Sequence, residues 1–456
     1  MTDYSIIINF VYVLSATLFI FGLKLLSHPS TARKGNLLSA LAMFVAVIVT
    51  LLDQQIISFE LILVCFVIGS ILGVIAARKV AMTSMPELVS LFNGIGGLAS
   101  LAVAYATLVG GENLSVFIIL VSFVALLIGA ITFSGSIVAW AKLSERMIGR
   151  PIVFKGQIFA NIALLLGILL SAVLICVQPE VATWHYLAIG LALLMGVMLV
   201  LPIGGADMPV VISLLNSYSG LAACAAGFAL ENNLLIVAGA LVGASGIILT
   251  NIMCKAMNRS LMNVMTSGFQ AVQTSDMKIE GEIKPLSADD AYYVLEAAQS
   301  VLVIPGYGMA VAQAQHTMKE LQELLESNGA EVSYAIHPVA GRMPGHMNVL
   351  LAEADVSYEQ LFEMDEVNPR IEGYDVAIVI GANDVVNPAA RELKGSPIYG
   401  MPVINADLAK NVFVLKRGMA TGFAGVDNPL FFKPNCRMIF GDAKETLGNL
   451  VRQFAD

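Results

Sequence analysis

The sequence predicts a polytopic α-helical membrane domain of nine spans, followed by a C-terminal α/β Rossmann-like domain with a parallel, doubly wound sheet. Composition is the first observation: 57% of the 456 residues are apolar, 13% are charged, and the mean hydropathy is +0.79. About a quarter of the residues are charged in an ordinary globular domain. The second observation is position, because long apolar segments fill residues 5 to 257 and short strand and helix patterns follow residue 288.

The nine apolar segments are long enough to cross a hydrocarbon core of about 30 Å. They lie near residues 5–26, 36–52, 57–77, 86–109, 115–141, 158–178, 183–202, 208–230 and 233–254. Lysine and arginine cluster at alternate connections between them, and the other connections carry none. Because basic loops stay on the cytoplasmic side, this alternation predicts that the N-terminus lies outside and the C-terminal domain in the cytoplasm.

Four spans carry small and polar residues on one helical face. In the fourth and fifth spans these are Asn93, Gly97, Ser100 and Ala104, and Ala125, Gly129, Thr132 and Ser136. In the eighth and ninth they are Asn216, Gly220, Ala223 and Gly227, and Gly239, Gly243, Gly246 and Thr250. Such faces let helices approach closely, and their polar groups need partners away from lipid. We expect these four helices to form an inner bundle, and the more aliphatic first, second, sixth and seventh spans to face lipid or another subunit.

A polar connector over residues 260–288 separates the membrane domain, residues 1–259, from a soluble domain, residues 289–456. The soluble domain has strand patterns at residues 300–304, 331–336, 374–380, 402–405, 412–415 and 437–440. Helix patterns cover residues 309–328 and 443–454. Alternating strands and helices are typical of a parallel, doubly wound sheet.

The first strand leads into Gly306-Tyr307-Gly308-Met309-Ala310-Val311 at the start of a helix. The first glycine permits a tight turn, and the second lets a pyrophosphate approach the helix N-terminus. The third position of this pattern is Val311 instead of glycine or alanine. We interpret the segment as a dinucleotide-binding turn; the alternative is a plain connection between strand and helix.

Other candidate binding residues also follow strands. His337 and Arg342 come after the second strand, where a cation favours the 2′-phosphate of NADP over NAD. Lys416-Arg417 provides a second cationic pair at the end of another strand. Gly381-Ala382-Asn383-Asp384 follows a third strand, where open sheets bind ligands. The alternatives are solvated surface charges and an ordinary Asx turn.

Charge and cysteine usage exclude other classes of site. The net charge is −9, and Asp and Glu concentrate after Glu280, which argues against a nucleic-acid partner. The five cysteines are scattered without a C-x-x-C spacing. We interpret them as small core residues in a reducing compartment, and we predict no metal site.

Several segments together resemble the beta subunit of proton-translocating NAD(P)+ transhydrogenase. The matching segments are residues 85–88, 204–209, 215–220, 253–260, 305–315, 337–345, 381–387 and 416–417. They run from the membrane spans to the C-terminal domain, and their combination is highly specific to this family.

The resemblance implies that this chain supplies most of a proton-conducting membrane domain and the whole NADP(H)-binding domain. An alpha subunit would bind NAD(H), and two alpha-beta units would pair in a bacterial inner membrane. The resemblance further implies that NADP(H) lies reversed on the sheet, with its 2′-phosphate at Lys416-Arg417. Arg342, with Pro344 in the same matching segment, would then serve the pyrophosphate or a closing loop.

Two positions depart from the family pattern. Some members carry a membrane histidine in the fourth span where this chain has Asn93. A neutral amide can hydrogen-bond a water chain but does not titrate near pH 7. The group that titrates could therefore lie in the alpha subunit. The family's Lys-Arg-Ser is Lys416-Arg417-Gly418 here, so one hydroxyl contact to the phosphate is lost.

The resemblance implies that hydride would move directly between two nicotinamide rings, so the protein would need to position them and exclude water. Our hypothesis places the proton path at Asn93, Ser136 and Asn216, with Asp207 and Arg259 linking it to NADP(H) affinity at the cytoplasmic face. Asp207 could instead be a helix N-cap, and Asn216 an interhelical hydrogen bond. The alternative function is an ion channel or secondary transporter gated by a cytosolic nucleotide-sensing domain.

Overall fold

The chain forms two compact units, Met1–Thr250 and Asn251–Asp456. This is a computed structural model, and it describes residues 3–53, 59–111, 114–144, 146–149, 151–257, 260–266, 281–341, 345–394, 396, 398–422 and 424–455. Half of the expected connector, residues 267–280, lies outside the described residues.

Nine helices in the described residues are long and apolar enough to cross a membrane. They are α1 (Asp3–Leu26), α2 (Pro29–Asp53), α3 (Phe59–Lys79), α4 (Met85–Gly110), α5 (Val116–Leu143), α6 (Gln157–Val177), α7 (Ala182–Val200), α8 (Met208–Ala229) and α9 (Asn233–Ala256). Each predicted span overlaps one helix, so the prediction of nine spans is confirmed. The largest difference is at α2, which begins seven residues before its apolar segment because the helix continues into polar sequence.

The small-residue faces bring helices into backbone contact, as predicted. A Cβ added at Gly97 of α4 would lie 2.8 Å from the carbonyl oxygen of Gly129 on α5. On α9, a Cβ at Gly246 would lie 2.8 Å from the Cα of Ser217 on α8. A larger side chain at either glycine would therefore push two helices apart.

The prediction that α7 faces lipid or another subunit is correct for one face only, which exposes Tyr186, Leu187 and Leu194. This helix packs against α5, and its buried face includes Ala188, Ala192 and Gly196. A Cβ at Gly196 would come within 2.5 Å of the carbonyl oxygen of Ile131 on α5. The three small residues repeat every fourth position, but the many aliphatic residues around them made the whole span look uniform.

The second unit contains a six-stranded parallel sheet in the order β3-β2-β1-β4-β5-β6. The strands are β1 (Ser300–Pro305), β2 (Glu331–Ile336), β3 (Leu361–Glu363), β4 (Val376–Ile380), β5 (Asn411–Lys416) and β6 (Cys436–Phe440). The helices are α10 (Leu261–Thr266), α11 (Ala288–Glu296), α12 (Tyr307–Val311), α13 (Gln315–Ser327), α14 (His346–Glu353), α15 (Met364–Val367), α16 (Ala389–Glu392) and α17 (Ala443–Ala455). The predicted Rossmann-like fold is confirmed.

Alternate residues of the central strands supply two hydrophobic cores, one on each face of the sheet. Val301 and Val303 belong to the core that includes residues of α13 and α17. Leu302 and Ile304 belong to the core on the opposite face. All four side chains are fully buried, which explains why β1 is a continuous apolar run and not an alternating one.

Three local predictions for this unit need correction. Residues 402–405 are not a strand; Ile404 N instead donates to the Val385 carbonyl oxygen at 2.9 Å, outside the sheet. The edge strand β3 was not predicted because it has only three residues and is not fully buried. The helix expected over residues 309–328 is two helices, since Gln313 between them has a φ of 52°.

Asp375 connects the beginnings of β1 and β4. Its Oδ2 accepts hydrogen bonds from Gln299 N at 2.9 Å and Ser300 N at 3.1 Å, and its Oδ1 accepts one from Lys410 Nζ at 2.8 Å. The Lys410 bond, together with the backbone donors, holds the pKa of Asp375 at about 2. The carboxylate is therefore charged at any ordinary pH.

We expect Asp375→Ala to destabilise this part of the sheet by about 1–2 kcal/mol, because two backbone N–H groups lose their acceptor. The folded-state pKa is below the unfolded value of about 3.9, so this stabilisation is present above pH 4 and is lost as the pH falls toward 2. Hydrogen-exchange protection of peptides from β1 and β4 in the full chain would measure it. Glu372→Ala, at an exposed position in the 3-10 helix that precedes Asp375, is the control. Equal protection in the two variants would contradict the prediction.

Candidate functional site

The loop after β1 is bonded to the loop after β4. Gly306 N donates to the Ile380 carbonyl oxygen at 2.8 Å, and Gly308 N donates to the Gly381 carbonyl oxygen at 3.0 Å. A Cβ at Gly308 would lie 2.6 Å from the Cα of Gly381, which itself has a φ of 63°. The sheet order reverses between these two strands, and open α/β sheets bind ligands at such a point.

A cavity of about 320 Å³ opens beside these loops. Six of the predicted binding residues line it, namely Gly308, Val311, Gly381, Asn383, Lys416 and Arg417. The structure thus brings the glycine turn, the loop after β4 and the cationic pair to one place. These residues are spread over more than 100 positions of the sequence.

Other predicted binding residues lie differently. Met309 and Ala310 are fully buried in the core under the sheet, so their side chains do not face the cavity. Gly306 and Tyr307 form the turn itself and the first residue of α12. Arg342 and Pro344 lie outside the described residues.

His337 is 2% exposed and holds the segment after β2 in place. Its Nε2 lies 2.8 Å from the carbonyl oxygen of Pro402, and Val339 N donates to its Nδ1 at 3.2 Å. Burial lowers the pKa of His337 to about 4, although the bond to Pro402 acts in the opposite direction. The ring is therefore neutral at pH 7, with Nε2 as the donor, and it is not among the residues that line the cavity.

Asn383 and Asp384 anchor a distant segment over the loop after β4. Asn428 Nδ2 donates to the backbone oxygen of Asn383 at 3.1 Å and to its Oδ1 at 2.9 Å. Ala424 N donates to Asp384 Oδ2 at 2.9 Å. Asn428, which is 3% exposed, was not predicted as a site residue. The Asn428-Pro429 pair is typical of a turn, and that pattern could have drawn attention to it.

Lys416 and Arg417 differ in their surroundings. Lys416 Nζ donates to the Ala420 carbonyl oxygen and lies 5.1 Å from the centre of the Phe431 ring. Burial lowers the pKa of Lys416, and the carboxylates of Asp384 and Asp427 partly offset this. The Arg417 side chain is exposed at the cavity. Together they are suited to an anionic group such as a phosphate.

Two further parts of the cavity wall were not predicted. Thr421 contributes a hydroxyl-bearing side chain, while the space around Gly418 is open enough for a Cβ. Gly441 and Asp442 connect β6 to α17 and line the same cavity. A glycine between a strand and a helix, the same signal that identified Gly306, would have found this connection.

A polar cluster joins three helices of the membrane unit. Asn93 Nδ2 donates to Ser136 Oγ at 3.0 Å, and Ser219 Oγ donates to Asn93 Oδ1 at 2.8 Å. Ser90 Oγ also donates to the Ser136 carbonyl oxygen at 2.9 Å. The structure therefore brings Asn93 and Ser136 together, as predicted. It also adds Ser90 and Ser219, which the predicted helical faces of small and polar residues did not include.

Asn216 is not part of this cluster. Its side chain is exposed on α8, whereas the neighbouring Ser213 and Ser217 face α9. Ser217 Oγ donates to the Gly243 carbonyl oxygen at 2.7 Å, and Ser213 Oγ donates to that of Gly246 at 3.2 Å. Gly220 and Gly227 of the predicted face do pack against α9, so Asn216 lies at the exposed edge of that face.

Asp207 precedes α8 and is 3% exposed, but its side chain makes no capping hydrogen bond to that helix. The preceding loop is held by Lys142 of α5, which is also 3% exposed. Lys142 Nζ donates to the carbonyl oxygens of Leu201 at 2.6 Å and Ile203 at 2.7 Å. The end of α5 thus fixes the loop that carries Asp207. Arg259 lies outside the described residues.

Comparison with known proteins identifies the family. The model of a family described as "NAD(P) transhydrogenase beta subunit" matches residues 8–453. Two relatives named "NAD(P) transhydrogenase subunit beta", one from Rhodospirillum rubrum and one from a strain of that species, are each 46% identical over 454 residues. These alignments cover 97% of this chain and 97% of each relative. This chain therefore belongs to the NAD(P) transhydrogenase beta subunit family.

Proposed function

We propose that this chain is the subunit of a membrane transhydrogenase that couples hydride transfer between NAD(H) and NADP(H) to proton translocation. The observation that carries the proposal is the cavity at the strand ends, where a glycine turn meets Lys416 and Arg417. The described residues of the same chain also form nine apolar helices. Membership of the family favours this enzyme over the alternative of a nucleotide-gated channel or transporter.

This chain would bind NADP(H), and an alpha subunit would bind NAD(H). The glycines leave backbone exposed where a pyrophosphate can approach, and the cavity wall carries the two cations suited to a 2′-phosphate. Arg342 and Pro344 are proposed to complete the site from the segment after His337. When bound, the nicotinamide supplies the hydride chemistry, and the residues of this chain bind and orient it and exclude water.

The membrane unit would supply the proton path, with the cluster of Asn93, Ser136 and Ser219 as its polar centre. One charge that crosses 100 mV releases roughly 2.3 kcal/mol. That energy corresponds to a change of about 50-fold in a nucleotide ratio. Asp207 and Arg259 remain our proposed residues for coupling this path to the affinity for NADP(H), and Asn216 remains a proposed residue of the path.

The assembly and orientation are also proposed. The family name denotes a beta subunit, so a partner subunit belongs to the complex, and we propose a dimer of alpha-beta units. None of the residues of α3, all of which are described, is buried within this chain, so that helix is available to lipid or to another chain. We propose a bacterial inner membrane, with the N-terminus outside and the second unit in the cytoplasm.

Reconstitution with the alpha subunit in vesicles tests the function. The measurement is hydride exchange between NADH and an NADP analogue, together with the pH inside the vesicles. We expect hydride exchange to change the pH of the vesicle lumen and to become slower against an imposed pH gradient. Ion flux without hydride exchange would overturn the proposal in favour of the channel.

A further inference from the structure

A buried histidine on α7 has no role in the mechanism described so far. His185 is 1% exposed and lies three residues after the start of α7. In the described part of the chain, neither its Nδ1 nor its Nε2 has a hydrogen-bond partner. Burying a polar group without a partner is unfavourable, so an imidazole with two such nitrogens destabilises the fold unless it serves another purpose.

The surroundings of His185 are otherwise aromatic and apolar. Its ring makes an edge contact with Tyr105 of α4 at a centroid distance of 6.3 Å. The hydroxyl of Tyr105 lies 3.0 Å from that of Tyr186, and both of these groups are exposed at the edge of the bundle. The imidazole therefore lies just inside a pair of hydroxyl groups that reach the surface.

No fixed charge lies beside His185 on the described helices around it. Helices α6 and α8 carry no Asp, Glu, Lys, Arg or His. In α4 and α5 such residues are limited to Glu87 and Lys142, which lie toward the opposite end of the bundle. The titratable groups on these helices and on α7 are Tyr105, Cys176, Tyr186, Tyr218 and Cys224. An imidazole is the side chain that ordinarily exchanges protons near neutral pH, and His185 is the imidazole on these helices. The exposed carboxylate of Glu180 lies outside them, in the loop before α7.

His185 and the polar cluster lie along the same helix interface. Tyr105 is 12 residues after Asn93 on α4, which corresponds to about 18 Å at 1.5 Å per residue. Between them, Thr132 of α5 packs against Gly97, at 3.0 Å from a Cβ placed there. The Thr132 hydroxyl is buried and has no protein partner among the residues that the structure describes. Thr132 thus extends the polar groups of this interface by about one helical turn from Asn93 toward His185, and eight residues of α4, about 12 Å, separate Gly97 from Tyr105.

We propose that His185 is a proton-exchanging residue at the end of the bundle where α4 ends and α7 begins, passing protons between water and the cluster around Asn93. This inference rests on the proposed proton translocation. The unprotonated ring nitrogen accepts a proton from water on one side, and the ring later releases one proton toward the cluster. The imidazole returns to its neutral state, so only the proton has moved.

The assembled complex in vesicles tests this proposal through His185→Gln, which replaces the imidazole by an amide of similar length that cannot titrate near pH 7. We expect protons moved per hydride transferred to fall at least tenfold. NADPH binding should stay within twofold of the wild type, which shows that the complex is folded. His28→Gln, at an exposed histidine in the loop between α1 and α2, is the matched control and should pump normally.

The outcomes separate the inference from the proposed function. A wild-type complex that transfers hydride without moving protons would refute the proposed coupling itself. A wild type and a His185→Gln variant that pump equally would refute only the role of His185.

A measurement on the wild type covers the case in which the variant does not assemble. Deuterium exchange at the C2 carbon of the His185 ring, followed by mass spectrometry, depends on both access to water and titration of the ring. We expect exchange that follows a titration curve between pH 5 and 9. An absence of exchange throughout that range would show a dry, permanently neutral ring and would overturn the proposal.

Discussion

Gly306→Ala should raise the dissociation constant for NADPH by at least about 100-fold, or roughly 3 kcal/mol. The φ of Gly306 is −133°, which any residue can adopt, so the effect is steric and not conformational. A Cβ there would lie 2.5 Å from Ala382 Cα and 2.6 Å from Ala382 N. These are backbone atoms, which cannot rotate aside as the end of a side chain can. The loops after β1 and β4 would have to separate, and the wall of the cavity would separate with them.

The measurement is NADPH binding to the full chain, together with hydrogen exchange in β1 and β4. Overpacking in a closely packed site typically costs about 1–3 kcal/mol. Here the added Cβ would clash with the backbone of the loop after β4, so hydrogen-exchange protection of β1 and β4 should also fall. Gly418→Ala is the matched control, because it lines the same cavity but its Cβ would meet no atom within 4 Å. Unchanged NADPH affinity in Gly306→Ala would refute the importance of this contact.

Neutralising the cationic pair should remove the preference for NADPH over NADH. A hydrogen bond to a charged group contributes about 1.5–3 kcal/mol, so Arg417→Gln should weaken NADPH binding by about 10- to 100-fold. We expect the affinity for NADH, which lacks the 2′-phosphate, to change much less. Since Arg417 is exposed, its replacement should leave the fold intact, and the effect should shrink at high salt.

The double variant Lys416→Gln/Arg417→Gln should lose more, on the order of 1,000-fold. Part of that loss would be indirect, because Lys416 also donates to Ala420 and packs over Phe431. Competition between NADPH and NADH for the full chain would measure the preference. Lys444→Gln removes a cation from the exposed first turn of α17 and serves as the control. An equal loss of NADPH and NADH affinity in Arg417→Gln would contradict a role in recognising the 2′-phosphate.

Local patterns predicted the elements well where one physical requirement dominates. The spans follow from hydropathy, because a helix in lipid needs an apolar segment of sufficient length. The continuous apolar run at β1 and the glycines after it follow from a buried parallel strand and a tight turn. The predictions failed where neighbours decide: residues 402–405 look like a strand but bond outside the sheet, and the small residues of α7 are visible only once α5 is known to pack there.

The sequence by itself determined the nine spans, the parallel sheet, the family and the segments that surround the candidate site, since each depends on composition or on residues adjacent in the chain. Only the tertiary structure decided that Asn428 holds Asn383, that Ser219 joins Asn93, that Asn216 faces outward, and that His185 is buried without a hydrogen-bond partner among the described residues. These facts depend on which side of an element meets a distant neighbour. Each of these contacts would change if a helix turned by one residue about its axis or if a loop moved by a few ångströms. Short-range sequence patterns specify neither the rotation of a helix nor the position of a loop.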